Sequence, residues 1–369
     1  MLETLKRFVW VESPSDSKAD VDLFGQFVAH EFERIGGKIT FDRQEKYGNH
    51  LKAEFAGSAP GKPVLLLGHL DTVWPRHTIA GMPFRMDAGR AYGPGVYDMK
   101  AGILLMLYAL RAIQASARNA GKDTGQRPVI VLLDTDEEVG STTGRPLVEA
   151  TARECDAVLV MEPSQGPQGF LKTSRKGVGA FTLRVHGQAS HAGVDFEKGH
   201  SAIVELSRQI LEVAKFTDLS RGITVNPGVV QGGTRSNVVA AEARAVVDIR
   251  ITHAADAAVL EQKFAALRPV DPHCRLEVSG GLNRPPMEPN EATARMFRIA
   301  QQLGQTIGMT LEESPTGGGS DGNFTAAMGI PTLDGLGAVG EGAHADRESV
   351  VIEELPRRAA LLAGLVETL

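Results

Sequence analysis

Residues 63–69 read Pro63-Val-Leu-Leu-Leu-Gly-His69, a short apolar run that begins at a proline and ends on a histidine. Two later runs have a similar form, Pro128-Val-Ile-Val-Leu-Leu-Asp134 and Ala157-Val-Leu-Val-Met161. Apolar runs of this length are typical of strands buried on both faces. Residues 101–117 lie between the first two runs and have the pattern of a covering helix. The sequence therefore predicts an α/β fold with a mixed, mostly parallel sheet flanked by helices.

A different order of elements occupies the middle of the chain. The patterns predict, in order, strand 180–185, helix 201–216, strand 223–230, strand 244–251, helix 254–267 and strand 275–279. This βαββαβ order is that of the ferredoxin-like motif. We therefore expect a catalytic domain made of residues 1–175 and 285–369, with an inserted α+β domain at 176–284.

Composition and charge exclude several classes of protein. Hydrophobic residues are 42% and charged residues 23% of the chain, as in ordinary globular domains. A net charge of −6 makes nucleic acid an unexpected partner. We also expect no membrane partner and a cytoplasmic location, because neither a spanning segment nor a secretory signal is evident; removal of a signal would instead imply a periplasmic or secreted protein. The 2 cysteines cannot form a thiolate metal site.

Side chains that commonly bind metals follow the predicted strands and turns. In open α/β sheets, ligands bind beyond the carboxyl ends of the strands. Each such residue alone is more commonly a solvated or capping group. Together they would repel one another at one edge of the sheet unless cations neutralised them. The candidate ligands are His69, Asp98, Glu138, Glu162 and His344, the last of which comes after the strand-like residues 331–336.

The residue types indicate the metal and the auxiliary groups. Imidazole and carboxylate without thiolate suit zinc, and less exclusively cobalt, manganese or nickel. Asp71 lies on the same side of an extended chain as His69 and could orient its imidazole. Hydrolysis also needs a general base that is not fully committed to metal. Glu137 and Glu138 could divide the base and ligand roles, because neighbouring side chains in extended structure point apart.

Motifs along nearly the whole chain resemble those of the zinc-dependent glutamate carboxypeptidase branch of the aminoacylase/carboxypeptidase-type metallopeptidases. They are His69-Leu-Asp71-Thr-Val73, Gly93-Pro-Gly-Val-Tyr-Asp98-Met-Lys-Ala-Gly102, Asp136-Glu137-Glu138-Val-Gly140, Met161-Glu162-Pro163, Ser190-His191-Ala192-Gly193, Thr316-Gly-Gly-Gly-Ser-Asp-Gly322 and Gly342-Ala-His344. The resemblance implies a zinc-peptidase fold that holds two Zn²⁺ per subunit, with Co²⁺ or Mn²⁺ as substitutes.

The same resemblance implies a role for each candidate residue of the metal site. Asp98 would bridge the ions, and Glu137 would be the general base. The terminal ligands would be His69 and Glu162 on one ion, and Glu138 and His344 on the other. The peptide between Asp98 and Met99 would be cis.

For the inserted domain, the resemblance implies a lid and a dimerisation surface. His191 would reach the active site of a partner subunit and help to polarise the scissile carbonyl, and Asn237 would contribute from the lid. We therefore expect a homodimer formed through the inserted domain. Without the resemblance, His191 would be interpreted as an ordinary loop histidine.

Two arginines and a glycine loop are candidate substrate contacts. A guanidinium binds a carboxylate through a fork of hydrogen bonds, so Arg250 and Arg284 would indicate a substrate with a free carboxylate if they face the cleft. Both positions resemble the substrate-carboxylate arginines of glutamate carboxypeptidases. The alternative is an ordinary salt bridge at a strand end. Gly318 and Gly319 are interpreted as part of a backbone loop that lines the substrate pocket.

These features predict a dinuclear zinc hydrolase that cleaves peptidyl or N-acyl amino acids with a free C-terminal carboxylate, preferably glutamate. An alternative is an N-acyl-amino-acid deacylase with another side-chain preference. A carboxylate-binding module without activity is disfavoured, since binding alone needs no base such as Glu137. A serine hydrolase is the remaining rival, because Ser320 lies in a G-x-S-x-G pattern and Ser320, Asp334 and His344 follow the chain order of an α/β-hydrolase triad. That rival leaves the other candidate ligands unexplained.

Overall fold

The computed structural model describes residues 1–121 and 126–369. The chain divides into two compact units. The first unit consists of Met1–Ser174, Pro289–Thr316 and Ser320–Leu369. The second unit consists of Arg175–Glu288 and Gly317–Gly319.

The helices are α1 (Leu2–Trp10), α2 (Lys18–Glu33), α3 (Thr78–Gly81), α4 (Ala101–Ala120), α5 (Gly144–Arg153), α6 (Ala202–Ala214), α7 (Ala255–Ala265), α8 (Glu291–Thr306), α9 (Gly322–Ala327) and α10 (Glu354–Thr368). The strands are β1 (Lys38–Asp42), β2 (His50–Phe55), β3 (Val64–His69), β4 (Arg85–Asp87), β5 (Arg90–Tyr92), β6 (Val129–Asp134), β7 (Ala157–Val160), β8 (Leu171–Arg175), β9 (Gly177–His186), β10 (Thr224–Gly232), β11 (Glu242–Ile251), β12 (Arg275–Arg284), β13 (Glu313–Thr316), β14 (Thr332–Leu333), β15 (Gly340–Glu341) and β16 (Ser349–Val351). Within the described ranges, no helix is both long and apolar enough to cross a membrane.

The main sheet of the first unit has the strand order β1-β2-β6-β3-β7-β14. The pairs β6–β3, β3–β7 and β7–β14 are parallel, whereas β1–β2 and β2–β6 are antiparallel. Every residue of β3, β6 and β7 is buried, as their continuous apolar runs predict. The predicted α/β class with a mixed, mostly parallel sheet is confirmed.

Helices cover both faces of this sheet. Leu66 of β3 joins the larger apolar core, to which α1, α2, α4, α8 and α10 contribute. Leu65 and Leu67 point the other way and pack in a second core with Val148 of α5. The alternation follows from the two-residue period of a strand. It explains why β3 carries apolar residues on both faces and retains polar chemistry only at its end.

A small sheet of the first unit is not predicted by the sequence patterns. Its strand order is β15-β16-β5-β4, and every neighbouring pair is antiparallel. The strands are two or three residues long, too short to show a hydrophobic period. In the register of this sheet, Ser349 lies opposite Tyr92.

The second unit contains the predicted βαββαβ order as β9-α6-β10-β11-α7-β12. Its antiparallel sheet has the strand order β10-β11-β9-β12, so β10 and β12 are the edges. Phe181 and Phe264 stack with ring centroids 3.8 Å apart in the core between sheet and helices. Strands β9 and β12 are longer than predicted, because the added residues 177–179 and 280–284 include glycines and polar residues and form no apolar run.

Candidate metal centre

The ends of the central strands bring candidate ligands to one edge of the main sheet. His69 is the last residue of β3, and Glu162 lies just beyond the end of β7. Since β3 is parallel to both β6 and β7, the carboxyl ends of the three strands share an edge. Beyond β6, the turn Glu137–Val139 carries Glu137 and Glu138 to the same place.

Asp98 enters this edge from the turn Val96–Lys100, which precedes α4. The start of α4 approaches the end of β7 so closely that a Cβ on Gly102 would lie 2.3 Å from the carbonyl oxygen of Met161. Only glycine permits this approach without a displacement of the backbone. The peptide between Asp98 and Met99 is cis, as expected from the resemblance.

The carboxylate of Asp98 lies between two histidines. Its Oδ1 is 3.1 Å from Nε2 of His69, and its Oδ2 is 3.5 Å from Nε2 of His344. Nε2 of His69 also lies 3.5 Å from Oε1 of Glu162, and Nε2 of His344 lies 3.2 Å from Oε2 of Glu138. Two imidazole–carboxylate pairs thus share one central carboxylate. This is the arrangement that a carboxylate bridging two ions requires.

The candidate ligand atoms are close enough to surround cations. Those of His69, Asp98 and Glu138 lie within 4.8 Å of one another, and so do those of His69, Glu137 and Glu162. Imidazole nitrogens and carboxylate oxygens in such sets suit Zn²⁺, and also Co²⁺ or Mn²⁺. The donor set therefore fits a metal centre.

The charges of these groups depend strongly on one another. Burial would raise the pKa of Asp98, but hydrogen bonds with His344 and His69 hold this pKa well below its usual range. Hydrogen bonds to Asp98 and Glu138 raise the pKa of His344 to about 10. Burial raises the pKa of Glu138 to about 7. Positive charge between these carboxylates is therefore favourable, whether an imidazole proton or a divalent cation supplies it.

Asp71 is fully buried and connects the histidine of β3 to the glutamate turn. Its Oδ1 lies 3.5 Å from Nδ1 of His69. Its carboxylate also accepts hydrogen bonds from the N–H of Glu137 at 3.3 Å and of Glu138 at 3.2 Å. The hydroxyl of Ser15 donates to the same carboxylate at 2.7 Å. Asp71 is therefore placed to orient groups of the site.

Asp136, the acid next to the Glu137–Glu138 pair, has a different role. Its carboxylate accepts hydrogen bonds from the N–H of Thr143 at 2.7 Å and of Gly144 at 3.0 Å, where α5 begins. These bonds satisfy donors at a helix start, as a capping residue does. The side chain of Asp136 therefore supports the glutamate turn.

His344 lies in a different part of the fold from the one predicted. The strand expected at 331–336 is only the two-residue β14, and His344 does not follow it directly. The residue lies instead in the loop between β15 and β16, with φ of 62°. A left-handed backbone at a residue other than glycine is uncommon and occurs where surrounding contacts impose it.

In the second unit, His191 and Asn237 lie on neighbouring loops and both are exposed. The N–H of Ala192 donates to the carbonyl of Asn237 at 3.0 Å. Nδ1 of His191 accepts a hydrogen bond from the N–H of Gly193 at 3.2 Å, which fixes the ring. The two predicted carbonyl-polarising residues are thus brought together within this unit.

Arg250 and Arg284 differ in their surroundings. Arg250 forms a forked ion pair with Asp248, at 2.9 Å from Nε to Oδ1 and 2.9 Å from Nη2 to Oδ2. The alternative interpretation of Arg250, a salt bridge at a strand end, is therefore what the structure contains. Arg284 is buried, and its Nη1 donates to Oδ1 of Asn283 at 3.1 Å.

The glycine loop 317–319 is held by arginines of the second unit. Nη1 of Arg175 donates to the carbonyls of Gly318 and Gly319, each at 3.1 Å. Nη1 of Arg250 donates to the carbonyl of Gly317 at 3.3 Å. No local motif marks Arg175, because the carbonyls that it contacts lie far from it along the chain.

Ser320 does not have the surroundings of a nucleophile. The side chain is fully buried, and its hydroxyl donates to Oδ2 of Asp334 at 2.6 Å. Among the described residues, Ser320 forms no hydrogen bond with a histidine, whereas His344 faces Asp98 and Glu138. A fully buried hydroxyl with no histidine beside it lacks both access to a substrate and the base of the predicted triad, so the geometry disfavours the serine-hydrolase rival.

Comparisons with known proteins agree with the geometry. Residues 65–368 match the family described as Peptidase family M20/M25/M40. Carboxypeptidase G2 of Pseudomonas sp. (strain RS-16) is 30% identical over 99% of this chain and 88% of that protein. A succinyl-diaminopimelate desuccinylase of Stenotrophomonas maltophilia (strain R551-3) is 29% identical over 85% of this chain and 86% of that protein.

The fold is also that of a solved structure. The M20 family metallo-carboxypeptidase Sso-CP2 of Sulfolobus solfataricus superposes with a TM-score of 0.78, over 99% of this chain and 98% of that one, at 17% identity. At that identity the likeness shows the fold alone. The family match and the identity to carboxypeptidase G2 extend over most of the chain. The chain therefore belongs to Peptidase family M20/M25/M40 and is, as predicted, a hydrolase of a metallopeptidase family.

Proposed function

We propose that this protein is a dinuclear zinc carboxypeptidase that hydrolyses the amide bond beside a free C-terminal carboxylate, with a preference for C-terminal glutamate. The observation that carries the proposal is the position of Asp98, whose two carboxylate oxygens face separate histidines at 3.1 and 3.5 Å. The name of the relative carboxypeptidase G2 supports the carboxypeptidase class. The substrates would be small peptides or N-acyl amino acids.

Five side chains would hold the ions. Asp98 would be shared between them, and the terminal ligands would be His69 and Glu162 for one ion and Glu138 and His344 for the other. Bound ions would polarise the scissile carbonyl and lower the pKa of a water molecule. This assignment of the five ligands is supported by their residue types, because imidazole and carboxylate groups suit zinc.

Glu137 would act as the general base and then as the general acid. It would take a proton from the attacking water and return it to the nitrogen of the leaving amine. One carboxylate oxygen of Glu137 lies within 4.8 Å of ligand atoms of His69 and Glu162. If His69 and Glu162 hold an ion, Glu137 therefore lies within reach of the reacting atoms. Asp71 bonds to the N–H groups of Glu137 and Glu138 and would keep both carboxylates in place.

The second unit would supply substrate contacts and the dimer surface. His191 would donate a hydrogen bond to the carbonyl oxygen of the scissile bond in the active site of a partner subunit, and Asn237 would contribute from the lid. Arg284 and Arg250 would bind the substrate carboxylate beside the loop of Gly318 and Gly319, although Arg250 would first have to leave Asp248.

Exposed apolar side chains on the second unit support a homodimer. Val230 on the edge strand β10 is 56% exposed, and Leu211 on α6 is 69% exposed. An edge strand with apolar side chains is a ready surface for pairing with another chain. A second copy of this chain would cover both features.

One specific finding supports a second function, an N-acyl-amino-acid deacylase. A relative named succinyl-diaminopimelate desuccinylase is 29% identical to this chain over 85% of its length. The chemistry at the metal centre would be unchanged, and only the groups that contact the amino-acid side chain would differ.

The experiment is a substrate panel tested with the zinc-loaded protein. We expect turnover of N-acyl-L-glutamate, slower turnover of the same acyl group on L-alanine, and none when the α-carboxylate is blocked as an amide. Fastest turnover of an N-succinyl diamino acid would favour the deacylase. Equal turnover of free and blocked carboxylates would contradict both functions.

A further inference from the structure

Glu348 is a buried carboxylate beneath the proposed bridging ligand. Its side chain is 0% exposed. No sequence motif marks Glu348, because its partners lie far from it along the chain. The first unit thus contains an acid that is close to the metal centre but is not among the proposed ligands.

Both oxygens of Glu348 accept hydrogen bonds from the loop that ends in Asp98. Oε1 accepts from the N–H of Tyr97 at 2.8 Å and of Asp98 at 3.0 Å. Oε2 accepts from the N–H of Gly95 at 2.9 Å and from Nε1 of Trp74 at 2.6 Å. Three backbone donors and one indole therefore converge on one carboxylate.

The small sheet explains how Glu348 reaches this loop. Ser349 of β16 lies opposite Tyr92 of β5, so Glu348 stands beside the residues that follow β5. The loop between β15 and β16 also carries His344, whose Nε2 lies 3.5 Å from Oδ2 of Asp98. One short segment therefore contacts Asp98 at both its backbone and its carboxylate.

We propose that Glu348 is a positioning residue, which fixes the backbone of Asp98 so that its carboxylate can be shared between two ions, and that Trp74 anchors Glu348. The inference rests on the proposed role of Asp98 as a metal ligand. It does not depend on which substrate is cleaved.

The donors around Glu348 explain why a carboxylate is required. An ionised carboxylate only accepts hydrogen bonds, and all four neighbours are N–H donors. Glutamine has nearly the same shape, but its NH₂ group would face N–H donors and leave them unsatisfied in a buried place. The loop would then shift to satisfy them, and Asp98 would move with it.

The experiment is a titration of the metal-free protein with Zn²⁺ alone, in competition with a chromophoric chelator. We expect Glu348→Gln to weaken zinc binding by about 10- to 100-fold, the usual effect of removing a group that orients a ligand. The readout contains no substrate, so it is independent of the proposed glutamate preference.

Glu205→Gln is the matched control. Glu205, in the second unit, is likewise 0% exposed and accepts four hydrogen bonds, from the N–H of Val270, the N–H of Asp271, Gln209 and Arg208. We expect Glu205→Gln to lower the thermal stability and to leave zinc affinity unchanged. An equal loss of zinc affinity in both variants would mean that the loss comes from general destabilisation of the fold. That result would overturn the proposal.

Trp74→Phe provides a milder variant in case Glu348→Gln does not fold. It removes one of the four donors and leaves the three backbone bonds in place, so we expect a several-fold loss of zinc affinity with a normal fold. Wild-type zinc affinity in a folded Glu348→Gln protein would overturn the proposal. If only Trp74→Phe folds, unchanged affinity in that variant would do the same.

Discussion

At the scale of single residues, the candidate ligands share one feature that the sequence allowed us to predict. Each of His69, Glu138 and Glu162 follows a buried apolar strand, and the rule that parallel strands end at a common edge brings them together. Glu348 was missed because its role depends on backbone groups that no motif records. His344 was identified as a candidate ligand both by its position after a strand-like stretch and by its resemblance to a family motif, but its expected place after a sheet strand was wrong.

Replacing Glu137 should lower the rate of catalysis without loss of metal. We expect Glu137→Gln to lower kcat by about 10²- to 10⁴-fold, because an amide cannot accept the proton of the attacking water. Zinc content should remain at the wild-type value, since Glu137 is proposed as a base and not as a ligand. Steady-state kinetics together with elemental analysis of the same preparation measure both quantities.

Ser320→Ala is the contrasting variant for this prediction. Removing the hydroxyl loses a hydrogen bond to Asp334 and should lower stability by about 1 kcal/mol, while kcat falls much less than in Glu137→Gln. A Ser320→Ala protein that retains its zinc but is inactive would contradict the metal mechanism and favour a serine nucleophile.

At the scale of elements, prediction succeeded where a hydrophobic pattern is long enough to be read. The buried strands β3, β6 and β7 and the βαββαβ order of the second unit were predicted from such patterns. The strands of the small sheet were not, because two or three residues carry no period. Yet β16 and β5 bring Glu348 beside Asp98, so part of the site lay in elements that single-sequence reasoning does not detect.

Glu205 on helix α6 leads to a prediction about how the stability of the fold depends on pH. Burial would raise the pKa of Glu205, but hydrogen bonds from the N–H of Val270, from Gln209 and from the N–H of Asp271 lower this pKa below its usual value. A carboxylate with a depressed folded pKa stabilises the fold above its unfolded pKa of about 4.3 and loses this contribution as pH falls through the folded pKa.

We therefore expect Glu205→Gln to lower the free energy of unfolding by about 1–3 kcal/mol between pH 5 and 8. The difference from the wild type should narrow as pH falls below about 4, where the carboxylate of the wild type becomes protonated. Urea unfolding at a series of pH values measures this difference. A gap that widens towards acid pH would show that the carboxylate form of Glu205 is not the stabilising species.

At the scale of the whole molecule, the proposed ligands extend from His69 to His344 along the chain and still lie in one unit. The first unit is built from three segments of the chain, and the second unit is formed mainly by Arg175–Glu288. The sequence predicted the class of fold because burial imposes a readable pattern on strands and helices. The sequence did not predict which partner Arg250 contacts, because the choice of Asp248 depends on local side-chain geometry.

The central claim is that one carboxylate, that of Asp98, is shared between two ions. Elemental analysis of purified, active protein tests it most directly. We predict two zinc ions per chain, and activity that is lost on chelation and restored as both ions return. Full activity with no bound transition metal, or with a single ion per chain, would contradict the account.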